Sequence, residues 1–445
     1  MNQNKILCSF DHARFGKFHA RLMILAGLCW ILAAYGVTIV GFLSSSLRAE
    51  WQVPAGAVSL LASIGMLGML FGAVAIGILS DKLGRRNILV WTLCYLGAVF
   101  IASSLAWNYP SLLVMRFLTG LGLGAILPVT STLITEFSPS KYRGAMSVTM
   151  NACWGLGGTL AALAGYTLVL NQGWRPALLI GGIALIIGPL VRLLLPESMR
   201  FLLGKGRVKD AEREFSRVQS LLLADKPFAP SDGSLQASVQ SGQTGGIWSA
   251  PFARITFALW FLWIALNFFY QGAFVWLPTL LTGTQISEGH SFLLTILISL
   301  GQIPGTLIAV YLADRMSRRN LLFISLGLLT VGTVLFGISQ TDAWVLVMGF
   351  LLMVFNGMVW GIAYPFSSEL YPTRMRGAAT GWATGIGRLG GVAAPLMVAW
   401  LTQAGGSIFH VFLMLACALF VTIFVLNGIK LETTGRSLEE ISSGG

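Results

Sequence analysis

The sequence predicts an all-α membrane protein of twelve transmembrane helices, built as two six-helix repeats. Three observations lead there. The 445 residues are 55% hydrophobic and only 10% charged, with a mean hydropathy of +0.77, whereas a water-soluble globular chain carries about 25% charge. Twelve apolar runs, each long enough to cross a hydrocarbon core, are separated by charge or by Pro and Gly. A set of charged, Pro, Gly and Asn positions also recurs at one fixed spacing between the two halves of the chain.

The first six runs are residues 21–47, 57–79, 88–107, 111–135, 145–170 and 174–195. The last six are residues 252–281, 291–313, 321–339, 343–370, 378–402 and 408–428. Between them, 208–222 is charged and helix-prone, while 224–246 is rich in Ser, Gly, Pro and Gln and reads as a flexible linker. The expected organisation is a six-helix bundle over 1–195, a linker with a short helix over 196–250, a second six-helix bundle over 251–430 and a tail over 431–445. The polar start runs into a span too long for a signal-peptide core, so no cleavable leader is expected.

Basic residues set the expected orientation. With the N-terminus inside, the inner connections hold Lys82, Arg85, Arg86, Lys141, Arg143, Arg315, Arg318, Arg319, Arg374 and Arg376, and the outer loops only Arg48 and Arg175. Both termini and the linker are therefore expected to be cytoplasmic. The net charge of +12 is then a topology signal and a surface for anionic lipid headgroups, and no nucleic-acid partner is expected.

The repeat is read directly from spacing. Asp81, Arg85, Arg86 and Asn87 reappear as Asp314, Arg318, Arg319 and Asn320, and Glu136, Pro139, Arg143 and Gly144 as Glu369, Pro372, Arg376 and Gly377. Each pair is offset by 233 residues, as in 314 − 81 and 369 − 136. Such duplication of a six-span unit marks a transporter built from parallel repeats.

These same residues carry a resemblance. The stretch Gly77-x-x-x-Asp81-Lys82-x-Gly84-Arg85-Arg86 and the stretch Glu136-x6-Arg143-Gly144 resemble the inner connections of the major facilitator superfamily. Pro196-Glu197-Ser198-Met199-Arg200 narrows the likeness to the branch of sugar porters, organic-ion transporters and synaptic vesicle glycoproteins. Trp276-Leu277-Pro278, Leu127-Pro128-x2-Ser131-Thr132-Leu133 and Gly387-Arg388-x-Gly390-Gly391 look most like bacterial nicotinate (niacin) transporters. The resemblance implies the major facilitator fold, alternating access, a bacterial inner (plasma) membrane and a monomer.

A cytoplasmic gate is expected from Asp81, Arg85, Glu136, Arg143, Glu197 and Arg200, and from Asp314, Arg318, Glu369 and Arg376 in the second half. Charge pairs there would hold the halves together and break on opening. The alternative is topology retention with compensation of helix-end charge.

Arg388 is the sharpest single signal. It lies 12 residues past Arg376, about 18 Å along a helix, and none of the 17 carboxylates falls near a span centre. A buried cation must be paired or hydrogen-bonded, so one reading makes an organic anion its counter-ion, gripped as a fork. The other makes it structural, bonded to broken-helix carbonyls and water. Arg116, near the outer end of span 4, reads as a snorkelling arginine.

Polar and aromatic residues fall on helical stripes that read as cavity lining. Span 10 offers Asn356, Trp360 and Tyr364, and span 7 offers Trp263, Asn267, Tyr270, Gln271 and Phe274. Asn151 and Trp154 in span 5, Gln302 in span 8, and Trp30 and Tyr35 in span 1 complete the set. The expected substrate site is Arg388, Trp360, Tyr364, Asn356, Asn267, Tyr270, Gln271, Gln302, Asn151, Trp154, Trp30 and Tyr35, and it suits a small planar aromatic carboxylate such as nicotinate. Another organic anion, a sugar, or binding without transport are the rival readings.

Other chemistry is weakly represented. Cys8, Cys29, Cys94, Cys153 and Cys417 are scattered without metal-ligand spacing. Glycine runs such as Gly120, Gly122 and Gly124 lie inside spans with no preceding strand, which favours helix packing over a nucleotide loop. No enzyme, cofactor or metal site is expected. Relatives carry acidic residues in the middle of span 1, where this chain reads Leu32-Ala33-Ala34-Tyr35-Gly36. Protons are the candidate coupling ion, through Glu136, Glu369 or the substrate itself; facilitated uptake is the alternative.

Overall fold

The computed structural model describes residues 10, 13–139, 142–219, 221–224, 247–249, 252–282, 287–313, 315–339, 341–371 and 373–428. Lipid cannot satisfy backbone N–H and C=O groups, so an apolar run of this length closes its hydrogen bonds within itself as a helix. Twelve such helices are present among the described residues. They are α1 (Lys17–Phe42), α2 (Ala55–Leu83), α3 (Arg85–Ser104), α4 (Tyr109–Phe137), α5 (Gly144–Gln172) and α6 (Trp174–Leu194). The second set is α7 (Ala253–Val275), α8 (Glu288–Ala313), α9 (Arg318–Gly337), α10 (Asp342–Glu369), α11 (Thr373–Gln403) and α12 (Ile408–Asn427).

Sequence-local signals start several of them. Asn108 accepts from the Ser111 N–H and caps α4, Ser317 caps α9 through Asn320, and Thr341 caps α10 through Trp344. The connecting helix expected over 208–222 forms over Val208–Gln219, with Ala211, Phe215 and Val218 buried. One feature has no counterpart in the sequence reading: Ala13–Arg14 pairs antiparallel with Leu223–Ala224. Strands of two residues leave no periodic pattern to read.

The duplication reappears in the packing. α1 packs on α5 as α7 packs on α11, α2 on α4 as α8 on α10, and α3 on α6 as α9 on α12. The two halves then meet along two related seams, α2 against α11 and α8 against α5. Helices outside those seams turn large apolar side chains outward, among them Trp91, Ile186, Leu193, Val331 and Phe424. That is the surface a bilayer requires.

Glycine placement explains the closest approaches. Gly120 and Gly124 lie against the α2 backbone at Gly65 and Met69, so that run is a packing surface. A Cβ added at Gly390 would collide with the carbonyl of Ile264, and one at Gly387 would lie 2.8 Å from Trp263 Cβ. The glycines flanking Arg388 thus let α11 lie directly on α7.

Candidate functional site

Between the two seams, a cavity of about 40 Å³ is walled by residues of both halves. Trp30 of α1, Met66 of α2, Leu127 of α4, and Asn151 and Trp154 of α5 come from the first half. Trp263, Asn267 and Tyr270 of α7, Gln302 of α8, Trp360 and Tyr364 of α10, and Thr384 and Arg388 of α11 come from the second. Helical spacing puts them there: 263, 267 and 270 share one face of α7, and 384 and 388 one face of α11.

Arg388 sits halfway along α11 and is only half-buried. Among the described residues its guanidinium is hydrogen-bonded to the Met69 sulfur alone, 3.9 Å from Nη1. Thioether sulfur is a weak acceptor, and no described carboxylate pairs with this arginine. A cation held this way has spare donors facing the cavity.

The rings are arranged edge to face. Trp263 meets Tyr364 at 4.6 Å and 69° and Trp360 at 5.6 Å and 74°, while Trp30 meets Trp154 at 6.3 Å and 81°. Most of their polar edges are fixed: Trp30 donates to Thr130 (3.1 Å), Trp263 to Ser367 (3.0 Å), and Trp154 to the Tyr270 hydroxyl (2.9 Å). The last of these joins the two halves across the cavity. Trp360 Nε1 and Gln302 Oε1 are buried without a partner among the described residues, which leaves a donor and an acceptor available at the wall.

Nine of the twelve sequence-expected residues line this cavity: Arg388, Trp360, Tyr364, Asn267, Tyr270, Gln302, Asn151, Trp154 and Trp30. Tyr35, Asn356 and Gln271 do not. The Tyr35 hydroxyl donates to the Ala177 carbonyl at 2.5 Å, toward α6. Asn356 is fully buried, with Nδ2 3.9 Å from the Met353 sulfur, and Gln271 packs beside Gly391. Arg116 departs from the snorkelling expectation. It is only 4% exposed and turns inward, donating from Nη1 to the Gly36 carbonyl at 3.2 Å.

Met66, Leu127 and Thr384 also wall the cavity without being among the expected residues, and Trp263 was expected only as part of a stripe. Thr384 was recoverable, being one turn before Arg388. Met66 and Leu127 were not, because apolar residues carry no mark of which face meets the cavity.

At the basic end, Arg85 lies 3.6 Å from Glu136, and Arg318 pairs with Glu369. Each of these pairs joins neighbours within one half, α3 to α4 and α9 to α10. Glu197 accepts from the backbone N–H of Arg86 (2.9 Å), Asn87 (3.3 Å) and Ser198 (2.9 Å), and so caps α3. Gly84 makes this possible: its φ is +101°, and a Cβ there would press on the Glu197 carboxylate. Arg200 is exposed at the start of the helix Met199–Gly204. The side chains of Asp81, Arg143 and Arg376, and Asp314 as a whole, lie outside the described residues.

A family model described as sugar (and other) transporter matches residues 19–444. The chain is 34% identical over 98% of its length to the niacin transporter NiaP of Acinetobacter baylyi, covering 99% of that protein. It is 27% identical to a gallate transporter of Pseudomonas putida, over 87% of this chain and 86% of that one. In three dimensions it is similar to the xylose transporter XylE from E. coli, with a TM-score of 0.73 at 16% identity, covering 94% of this chain and 99% of that one. At that identity the structural likeness speaks for the fold alone.

Proposed function

The chain belongs to the sugar (and other) transporter family, and from that premise we propose that it carries a small aromatic monocarboxylate, nicotinate first, across a bacterial inner membrane by alternating access. The observation that carries this reading is Arg388, whose partner among the described residues is a sulfur atom, in a cavity walled by indole and phenol rings. A carboxylate supplies the missing charge, and a guanidinium holds it as a fork. The flat rings suit a flat substrate, which the cavity of about 40 Å³ admits once it widens as the halves move. Trp360 Nε1–H is a free donor for a pyridine nitrogen, which only accepts.

Similar proteins support the chemical class, since the names of two relatives specify niacin and gallate, both aromatic carboxylates. A sugar would fill the site with hydroxyls and leave Arg388 without a counter-charge. In this reading the halves 1–195 and 251–430 rock as units with both termini cytoplasmic, in a monomer. The Arg85–Glu136 and Arg318–Glu369 pairs keep the inner ends of each half rigid during that motion.

Protons enter as a candidate coupling ion. The described cavity wall holds no Asp or Glu, so a co-transported proton would ride on the substrate's own carboxyl or on Glu136 or Glu369. Uptake of radiolabelled nicotinate into proteoliposomes, with and without a pH gradient, tests both points. Competition by benzoate but not by hexoses is the expected pattern; competition by hexoses alone, or binding without flux, rejects the proposal.

A further inference from the structure

A second, larger cavity of about 620 Å³ opens at the basic end, away from the cavity around Arg388. It lies where the N-terminus of α3, the C-terminus of α6 and the helix Val208–Gln219 come together. Five arginines line it, Arg86, Arg192, Arg207, Arg213 and Arg217, against three acids.

All three acids are already committed. Glu197 caps α3. Glu214 bridges Arg86 and Arg217, each at 3.1 Å. Asp210 holds Arg207 at 2.7 Å. Among the described residues Arg192 donates to the neutral Asn87 Oδ1 at 3.1 Å and has no acid partner, and Arg213 has none either. Arg86 is only 9% exposed, and its Nε–H is buried without an acceptor among the described residues. The cavity therefore presents unused guanidinium donors to whatever enters it.

Its rim is apolar. Leu193, next to Arg192, is 69% exposed, and Ile186 and Leu190 continue an outward apolar face along α6. In a bilayer that face meets acyl chains, which puts Arg192 and the cavity at headgroup level. Guanidinium forks pair geometrically with phosphate oxygens. We propose that this cavity is a binding site for a phosphate group, filled by the headgroup of an anionic phospholipid whose chains lie along α6. A bound headgroup would join α3, α6 and the helix Val208–Gln219 through shared phosphate contacts.

The test uses the full chain in nanodiscs of phosphatidylcholine alone or with phosphatidylglycerol. Thermal unfolding and retained lipid are measured for wild type, for Arg213→Ala, and for the double variant Arg192→Ala/Arg213→Ala. A second arm adds inorganic phosphate to the phosphatidylcholine discs. Phosphatidylglycerol should raise Tm and co-purify, and the double variant should lose about 30-fold in preference for it over phosphatidylcholine. Stabilisation by inorganic phosphate but not by phosphatidylglycerol, lost in Arg213→Ala, would keep the phosphate site but overturn the lipid as its source. No stabilisation by either, or stabilisation indifferent to both variants, overturns the proposal. Arg213 is exposed and makes no described bond, so its single variant remains informative if the double one folds poorly.

Discussion

The Arg388 guanidinium lies 3.9 Å from the sulfur of Met69, on the opposite half of the molecule. A thioether can accept weakly but cannot neutralise a charge. On the proposed reading, Arg388→Ala removes the carboxylate contact and lowers nicotinate affinity by about 10- to 100-fold, the range for a charge-assisted hydrogen bond. Arg388→Lys keeps the charge without the fork and should lie between. Wild-type affinity in a correctly inserted Arg388→Ala would falsify this role.

Trp154 and Tyr270 form the hydrogen bond that crosses the cavity, at 2.9 Å. Tyr270→Phe leaves the indole N–H without its acceptor, at a cost of about 0.5–1.5 kcal/mol. The apparent KM for uptake should rise roughly 2- to 10-fold. An unchanged KM would mean that this bond is not made in the conformation that binds substrate.

Gly390 is pressed on the Ile264 carbonyl, whereas a Cβ at Gly381 would meet nothing within 4 Å. Gly390→Ala should therefore destabilise the α7–α11 contact by about 1–3 kcal/mol. Gly381→Ala, placed in the same helix, should be neutral or stabilising by up to about 1 kcal/mol. Thermal unfolding of the two variants in one detergent compares them directly; equal Tm values would contradict the packing argument.

The inner-end pairs should govern rate more than binding. Glu136→Gln and Glu369→Gln each remove the negative charge of one carboxylate that pairs with an arginine at a helix start. The maximal uptake rate is expected to fall severalfold, with KM held within about twofold. A large KM change with normal rate would assign these residues to substrate capture instead.

Glu50 supplies a pH test outside the membrane spans. It accepts from Arg175 Nη1 at 2.8 Å and Trp174 Nε1 at 2.7 Å, and its pKa is held below the ordinary value chiefly by the Arg175 hydrogen bond. A carboxylate with a depressed folded pKa contributes stability above its unfolded pKa and loses it as pH falls through the folded one. Wild type should therefore exceed Glu50→Gln in Tm at neutral pH, with the gap closing in acid. A gap that persists in acid would point to packing in place of charge.

Much of this protein could be read from the chain because its strongest signals are one-dimensional. Arg85 and Glu136 announce their copies Arg318 and Glu369 by a common offset of 233 residues, and that repeat foretold the paired packing of the halves. The cavity was legible where polarity is rare: Arg388, Gln302, Asn151 and Asn267 stand out against aliphatic neighbours. Met66 and Leu127 were hidden by the same logic. Asn356 and Gln271 share the amide chemistry of the lining residues yet do not wall the cavity, although each stands one turn from a residue that does, Trp360 and Asn267.

Span count and repeat thus belong to the sequence alone, since hydrophobic length and spacing are properties of the chain before it folds. Tertiary structure decided which faces converge. It joined α2 to α11 and α5 to α8, put Met69 where a counter-ion to Arg388 would be sought, and turned Arg116 inward onto Gly36. It also kept the two inner-end ion pairs within the halves. The physical reason is that contacts between helices depend on rotation about each helix axis, which is set by close packing at residues such as Gly387 and Gly390.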